Sequence, residues 1–167
     1  ISEKGYSEPT QIQLKSIPKI LQGFDIKGSA QTGTGKTGAF LLPILSSLST
    51  PSSVKGKGPR ALILAPTREL AMQIETEARE YSKYMRKMHT VCVVGGVPYP
   101  AQMRKLARPY EILIATPGRL LDHIEQKNLR VVNSSDDMKG SYLGTEFSQE
   151  EIEKELNSIG ANYERLN

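Results

Sequence analysis

Continuous apolar runs alternate with helical patterns along most of this chain. Segments 61–65, 90–94 and 111–115 are apolar on both sides of the pleat after the polar first residues Thr90 and Glu111 of the last two, which predicts strands that are buried on both faces. A turn follows each run, and then a segment with apolar residues at helical spacing. The predicted helices after these strands extend to about Arg86, over Ala101–Leu106 and to about Gln126. The alternation predicts an α/β fold, a parallel sheet with helices on both faces.

The first part of the chain adds two helices and one more strand to this pattern. We predict a short strand at Asp25–Ser29 and a helix from about Lys36 to Leu48. An earlier helix begins after Thr10, which is a suitable N-cap, and Pro18 inside it is expected to kink or end it. The apolar side of this earlier helix is predicted to carry Ile12, Ile17, Ile20 and Leu21.

The segment Ala30–Thr37, Ala-Gln-Thr-Gly-Thr-Gly-Lys-Thr, lies between the predicted strand and helix and has the composition of a phosphate-binding loop. Gly33 and Gly35 permit backbone conformations in which successive N–H groups point at an anion. The positive end of the following helix adds to the attraction. The amine of Lys36 can reach the β- and γ-phosphates, and the hydroxyl of Thr37 can bind Mg²⁺. The sequence therefore predicts a nucleotide site.

Three further strand-to-helix turns are predicted to lie at the same edge of the sheet, because ligands of parallel sheets bind at the carboxyl ends of the strands. They are Pro66–Ala71, Gly95–Gly96 and Thr116–Arg119. The arginines and threonines of these turns suit phosphate groups, and the two glycines let a sugar-phosphate backbone approach closely. Because no aromatic residue lies within these turns, we expect contact with the backbone rather than with bases. Surface ion pairs are the alternative for any one turn alone.

The charge distribution divides the chain near residue 133. Residues 1–133 hold 19 basic and 10 acidic side chains, a net charge of +9, whereas residues 134–167 hold 3 and 8, a net charge of −5. A basic body suits a polyanionic partner. Cys92 is expected to be a small buried residue, and the two histidines form no cluster with metal-site spacing. The sequence contains no apolar run long enough to cross a membrane and opens without a signal-like segment, so we expect a cytoplasmic protein.

Together these residues resemble the first RecA-like domain of the DEAD-box ATP-dependent RNA helicases. Gly5–Gln13 is similar to the Q motif, Ala30–Thr37 is similar to motif I, and the three turns match those that grip the RNA backbone in that family. Five motifs occur in order over 5–119, and similarity extends to about Arg130. The resemblance implies an incomplete RecA-like P-loop NTPase domain over 1–130, with ATP and Mg²⁺ as ligands and single-stranded RNA as partner.

The resemblance also assigns roles to individual residues. Lys36 and Thr37 are the implied catalytic residues, Thr37 holds Mg²⁺, and Gln13 contacts the adenine edge. The implied nucleotide-binding residues are Tyr6, Gln13, Gln31, Thr32, Gly33, Thr34, Gly35, Lys36, Thr37 and Gly38. The implied RNA-binding residues are Pro66, Thr67, Arg68, Gly95, Gly96, Thr116, Pro117, Gly118 and Arg119.

The chain departs from the family pattern after residue 130. The family continues with an apolar strand that ends in Asp-Glu-Ala-Asp, which holds Mg²⁺ and orients the attacking water, whereas here Val131-Val132 leads directly into polar residues. Asp136 and Asp137 are not expected to replace that motif, because no apolar strand precedes them. The Ser-Ala-Thr motif and the second RecA-like domain with its arginine finger are also missing from this sequence. We therefore expect nucleotide binding, weak or absent hydrolysis and no unwinding by this chain.

Residues 131–167 are predicted to be an unrelated linker and a short acidic helix. Ser148–Glu151 is a capping box, and the helix it opens ends at Gly160. Residues 140–166 weakly resemble a connecting segment of carbamoyltransferases, and no chemistry is transferred from that resemblance. Three alternatives to the helicase fragment stay open: a non-catalytic RNA-binding module or decoy, a small P-loop kinase, which the three turns disfavour, and a chimeric fragment that does not fold stably.

Overall fold

A computed structural model describes residues 8–31, 33–50, 59–126 and the backbone of 141–142, in which helices and strands alternate. The sheet consists of β1 (Ala61–Leu64), β2 (Thr90–Val93), β3 (Ile112–Ala115) and β4 (Ser141–Tyr142). The helices within these ranges are α1 (Gln11–Leu21), α2 (Lys36–Ser49), α3 (Arg68–Tyr81), α4 (Tyr99–Leu106) and α5 (Pro117–Glu125). None of these helices is long and apolar enough to cross a membrane.

The four strands form one parallel sheet in the order β2-β3-β1-β4. In the register, Ile114 of β3 lies between Ile63 of β1 and Cys92 of β2. All residues of β1 and β3 are buried, as expected for central strands whose two faces are both covered. The predicted parallel α/β sheet is therefore confirmed.

Helices cover both faces of the sheet, as predicted. Because successive strand residues point to opposite faces, β1 contributes Ile63 to one cluster and Leu62 to the other. The first cluster contains the apolar faces of α2 and α3, including Leu41 and Ile74. The second contains Leu120 of α5, with Leu106 of α4 packed against it.

The predicted strand at Asp25–Ser29 is wrong. Residues 24–31 belong to no helix or strand, and Phe24 and Ile26 are 56% and 39% exposed. Within Asp25–Ser29 the single apolar residue is Ile26, among charged and small neighbours, so a strand here depends on pairing with a neighbouring strand. On the side of β1 that faces away from β3, the described sheet provides only the two residues of β4, which pair with Ile63 and Leu64.

Helix α1 also differs from its prediction. It continues past Pro18 to Leu21, and its buried residues are the polar Gln13 and Ser16, whereas Leu21 is exposed. The reason is its neighbour: α1 packs against α2 at the end of the phosphate loop, where polar groups find backbone partners. The hydroxyl of Ser16 instead finds its partner within α1 and donates to the carbonyl oxygen of Ile12, at 2.6 Å.

The remaining differences concern the ends of elements and the C-terminal part. Helix α3 ends at Tyr81 rather than near Arg86, and the turn that follows contains Lys87 at φ 64°. Helix α4 begins at Tyr99, after Pro98. Ser141 and Tyr142 lie within the predicted linker and pair with β1, and the predicted helix from Ser148 lies outside the described residues. The division of the chain near residue 130 stays a prediction.

Candidate functional site

The three predicted RNA-contacting turns emerge from adjacent strands at one edge of the sheet. The turn at 66–67 follows β1, the turn at Gly95–Gly96 follows β2, and Thr116 follows β3. Because these strands are parallel and neighbours in the order β2-β3-β1, their carboxyl ends meet at the same edge. The structure therefore brings the three turns together.

Arg68 and Gly96 are in contact although they belong to different turns. Gly96 has φ +74°, and a Cβ built on it would lie 2.6 Å from Nη1 of Arg68. The guanidinium of Arg68 thus occupies the space beside Gly96 that a larger residue would fill with its own side chain. Thr67, the preceding residue, caps α3: its hydroxyl oxygen accepts from the N–H of Leu70 at 3.2 Å, and its own O–H can still donate.

Arg119 is held by three contacts at the start of α5. Its Nη1 donates to the carbonyl oxygen of Val97 at 3.2 Å, and its Nε lies 3.6 Å from Oδ2 of Asp122. Its guanidinium lies over the ring of Tyr99, 4.3 Å from the centroid. Its side chain is 13% exposed, so its donors have a defined direction. Thr116 precedes α5 and Pro117 occupies its first position, where a missing N–H carries no cost.

The sequence analysis missed the polar residues that surround Arg119. The hydroxyl of Tyr99 donates to Oδ2 of Asp122 at 3.0 Å, and the ring of Tyr99 packs against His123 with centroids 5.1 Å apart. Gln102 and His123 are buried on the facing helices α4 and α5. The available signal was a glutamine and a histidine at buried positions of otherwise amphipathic helices. The two residues are each other's partners but lie 21 positions apart in sequence, so the local pattern does not connect them.

The tautomer of His123 is determined by its surroundings. Its Nε2 lies 3.3 Å from Oε1 of Gln102, whereas its Nδ1 is buried without a hydrogen-bond partner in the described part of the chain. Because Oε1 can only accept, Nε2 carries the hydrogen. Burial lowers the pKa of His123 below its ordinary value, the Arg119 charge lowers it further, and Asp122 acts in the opposite direction.

The lowered pKa of His123 predicts a loss of stability on acidification. The unfolded chain takes up this proton near the ordinary pKa of about 6.5, and the folded chain takes it up only at lower pH. The free energy of unfolding should therefore fall below about pH 6.5, by at most about 1.4 kcal/mol per pH unit from this group. Urea unfolding of the chain and of His123→Gln at several pH values measures the difference. Parallel pH profiles for the two proteins would contradict the prediction.

The phosphate loop turns sharply into α2 through glycines in the left-handed region. Gly33 has φ +81° and Gly35, which precedes the first helical residue, has φ +85°. The amine of Lys36 donates to the carbonyl oxygen of Ala30, so this side chain spans the loop. The hydroxyl of Thr34 donates to the carbonyl oxygen of Gln31 at 2.7 Å. The N–H groups of the first turn of α2 have no partner within the helix and can bind an anion.

Gln13 links α1 to this loop. Its Oε1 accepts from the backbone N–H of Thr10 at 3.0 Å, and its Nε2 donates to the carbonyl oxygen of Gly35 at 3.1 Å. The side chain is 6% exposed. Among the described residues, one amide hydrogen and one lone pair of Gln13 take no part in these two bonds and can serve a ligand, so the arrangement fits a role in reading adenine, which stays a prediction. The predicted nucleotide-binding residues Tyr6 and Thr32 lie outside the described residues.

The residues present fit a magnesium nucleotide in chemical type. Gly35 has the left-handed conformation that starts α2, Lys36 supplies a positive charge, and the hydroxyl of Thr37 at the helix N-terminus is a hard oxygen ligand. Within the described ranges, no group of three or more histidine, cysteine or carboxylate side chains forms a separate metal site. Cys92 is buried, and burial raises the pKa of its thiol to about 12, so it is no nucleophile.

Comparison with known proteins finds a matching family model and similar sequences. The family model described as DEAD/DEAH box helicase matches residues 10–140. The chain is 44% identical over 133 residues to the ATP-dependent RNA helicase DeaD of Buchnera aphidicola, covering 80% of this chain and 22% of that protein. It is 47% identical over 131 residues to the probable ATP-dependent RNA helicase DDX59 of Homo sapiens, covering 78% and 20%. The chain thus spans about a fifth of these relatives.

Solved structures show the same fold. The yeast DEAD-box splicing factor Prp28 superposes with a TM-score of 0.79 at 34% sequence identity, covering 97% of this chain and 40% of that one. A hypothetical ATP-dependent RNA helicase from Sulfolobus tokodaii gives a TM-score of 0.72 at 30% identity, covering 98% and 54%.

Proposed function

Because this chain belongs to the DEAD/DEAH box helicase family, we propose that it is the ATP-binding portion of an ATP-dependent RNA helicase. It binds ATP with Mg²⁺ at Ala30–Thr37 and the backbone of single-stranded RNA at the three turns. The observation that carries this proposal is the junction of Gln13, Gly35 and Lys36, where a glutamine amide, a left-handed glycine and a lysine meet at the start of α2.

At the nucleotide site each residue has a distinct task. Lys36 exchanges the carbonyl oxygen of Ala30 for the β- and γ-phosphate oxygens, and the N–H groups at the start of α2 bind the same phosphates. Thr37 holds Mg²⁺, which neutralises phosphate charge when it is bound. Gln13 contacts the adenine edge while its bond to Gly35 keeps the base and the phosphate loop in a fixed relation.

At the RNA site the recognised feature is the sugar-phosphate backbone. Arg68 and Arg119 supply forked donors, and Thr67 and Thr116 supply hydroxyls. The one aromatic ring at this site, among the described residues, belongs to Tyr99, and the guanidinium of Arg119 covers it. One face of that ring is therefore already in contact with Arg119. Binding is expected to be largely independent of sequence and sensitive to salt.

Hydrolysis and unwinding require groups that this sequence does not contain. The resemblance assigns water activation to the Asp-Glu-Ala-Asp carboxylates and charge stabilisation to an arginine of the second domain. Asp136 and Asp137 lie outside the described residues, and no apolar strand precedes them in the sequence. We therefore propose that the isolated chain binds both ligands and turns over ATP weakly or not at all.

A turnover assay tests this proposal. The chain, incubated with Mg²⁺-ATP and polyuridylate, should release phosphate no faster than the Lys36→Ala variant, while both proteins still bind the RNA. The reason is that positioning of the attacking water is missing, so RNA binding gives no rate increase. RNA-stimulated phosphate release that Lys36→Ala abolishes would contradict the inactive-fragment part of the proposal.

The second candidate function is a non-catalytic RNA-binding module or decoy. The observation that favours it is the sheet itself. Strands β1 and β2, which present two of the RNA-contacting turns, each pair with β3 over all four of their residues, whereas 24–29 before the phosphate loop lies outside the sheet. For such a module, RNA affinity should fall with salt and be unchanged by added nucleotide. An RNA affinity that ATP alters supports the first function instead.

A further inference from the structure

Gln102 on α4 and His123 on α5 form a buried polar pair that no step of the proposed function uses. Gln102 is 1% exposed and His123 is fully buried, so neither can touch RNA or nucleotide. We propose that they are positioning residues, which hold the Gly95–Gly96 turn and Arg119 in the relative placement that RNA binding requires. This inference rests on the proposed RNA site.

Gln102 closes the glycine turn. Its Nε2 donates to the carbonyl oxygen of Val94 at 3.1 Å and to that of Val97 at 2.9 Å, and these two residues flank Gly95 and Gly96. Both amide hydrogens are therefore used to tie the two ends of the turn to one side chain. The orientation of the amide is also determined, because the opposite flip would place Oε1 against two carbonyl oxygens.

His123 fixes the other end of Gln102. With both amide hydrogens engaged, Oε1 of Gln102 faces Nε2 of His123 at 3.3 Å, and the Nε2–H tautomer supplies the donor. The contact ties α4 to α5. His123 lies four residues after Arg119, on the same face of α5. Holding His123 in place therefore also holds the part of the helix that carries the arginine.

Val97 joins the two halves of the arrangement. Its carbonyl oxygen accepts from Gln102 and also from Nη1 of Arg119, at 3.2 Å. Tyr99, two residues further on, contacts both the guanidinium of Arg119 and the ring of His123. A substitution that removes the hydrogen bonds of Gln102 therefore leaves the carbonyl group of Val97 free to move. Because Arg119 donates to the same oxygen, the turn and the arginine would no longer be held in a fixed relative position.

RNA affinity of variants of the full 167-residue chain tests this role. Binding of a fluorescent oligouridylate is measured at a temperature where circular dichroism shows each variant folded, with nucleotide affinity as the second readout. Gln102→Met and His123→Leu should each weaken RNA binding about tenfold and leave nucleotide affinity unchanged. His123→Gln should restore RNA binding, because its amide N–H replaces the Nε2–H. Ile74→Val, in the core on the opposite face of the sheet, should change neither affinity.

Coupling to Arg119 separates a positioning role from general damage. In an Arg119→Ala background, Gln102→Met should lower RNA affinity by less than about threefold, because the guanidinium that Gln102 helps to position is absent. A full tenfold loss in that background, an equal loss of nucleotide affinity, or a His123→Gln variant as weak as His123→Leu would overturn the proposal. If Gln102→Met does not fold, the two His123 variants decide the question. Failure of the unmodified chain to bind oligouridylate at low salt contradicts the proposed RNA site itself.

Discussion

Replacing Gly35 with alanine should reduce nucleotide affinity at least about 100-fold. The residue has φ +85°, which costs a non-glycine residue about 1–2 kcal/mol, and its Cβ would lie 2.6 Å from Nε2 of Gln13. Thr10 limits escape in the other direction, with Oγ1 at 3.0 Å and Cγ2 at 3.2 Å. The overlap is relieved when the Gln13 side chain moves, which breaks its bond to Gly35 and removes this link between α1 and the phosphate loop.

Titration with a fluorescent nucleotide and urea unfolding measure this effect. Gly23→Ala is the matched control, since Gly23 has φ +90° and no atom lies within 4 Å of a Cβ there. It should lose about 1–2 kcal/mol of stability from strain and keep its nucleotide affinity. In Gly35→Ala, the additional change Gln13→Ala should recover part of the lost stability. Unchanged nucleotide affinity in a folded Gly35→Ala protein would show that the loop does not bind phosphate in the way proposed.

Replacing Gly96 with alanine should weaken RNA binding about 10- to 30-fold, which corresponds to about 1.4–2 kcal/mol. Its Cβ would lie 2.6 Å from Nη1 of Arg68, at φ +74°. Because the guanidinium is the movable end of a long side chain, Arg68 shifts and the backbone keeps its place. The damage therefore falls on the direction of the arginine rather than on the sheet.

A double-mutant cycle measures whether Gly96 acts through Arg68. Gly96→Ala and Arg68→Ala should each weaken binding of oligouridylate, and the combination should be little weaker than Arg68→Ala alone. Gly95→Ala controls for stability: it has no positive φ and no neighbour within 4 Å of a Cβ, so its free energy of unfolding should be nearly unchanged. Fully additive losses from Gly96→Ala and Arg68→Ala would show that the contact between them has no role in RNA binding.

The local sequence pattern was sufficient to predict those helices and strands that are determined by their own composition. The apolar runs at 61–65 and 111–115 became central strands, and helix α2 begins at Lys36 as predicted. The strand at Asp25–Ser29 was wrong because its formation depends on a neighbouring strand that local sequence does not describe. The buried face of α1 could not be predicted for the same reason. Gln13 is buried where it donates to the carbonyl oxygen of Gly35, 22 residues away in sequence.

The candidate site could be predicted only in part for a related reason. The glycines and the basic side chains have a recognisable spacing, so the turns that carry Lys36, Arg68 and Arg119 could be located from the sequence, and their binding of phosphate stays a prediction. The buried contacts that orient them were not, because Gln102 and His123 acquire their meaning only when α4 and α5 are packed together. A polar residue in an amphipathic helix looks the same in sequence whether it faces solvent or closes a turn.

The measurement that tests the central claim most directly is the affinity of the chain and of its Lys36→Ala variant for Mg²⁺-ATP, determined by calorimetric titration. The account predicts saturable binding with one nucleotide per chain, and a loss of at least about tenfold in Lys36→Ala, because the amine that now contacts the carbonyl oxygen of Ala30 is the group that meets the phosphates. Equal affinities for the two proteins, or no binding by the unmodified chain while it is folded, would contradict it.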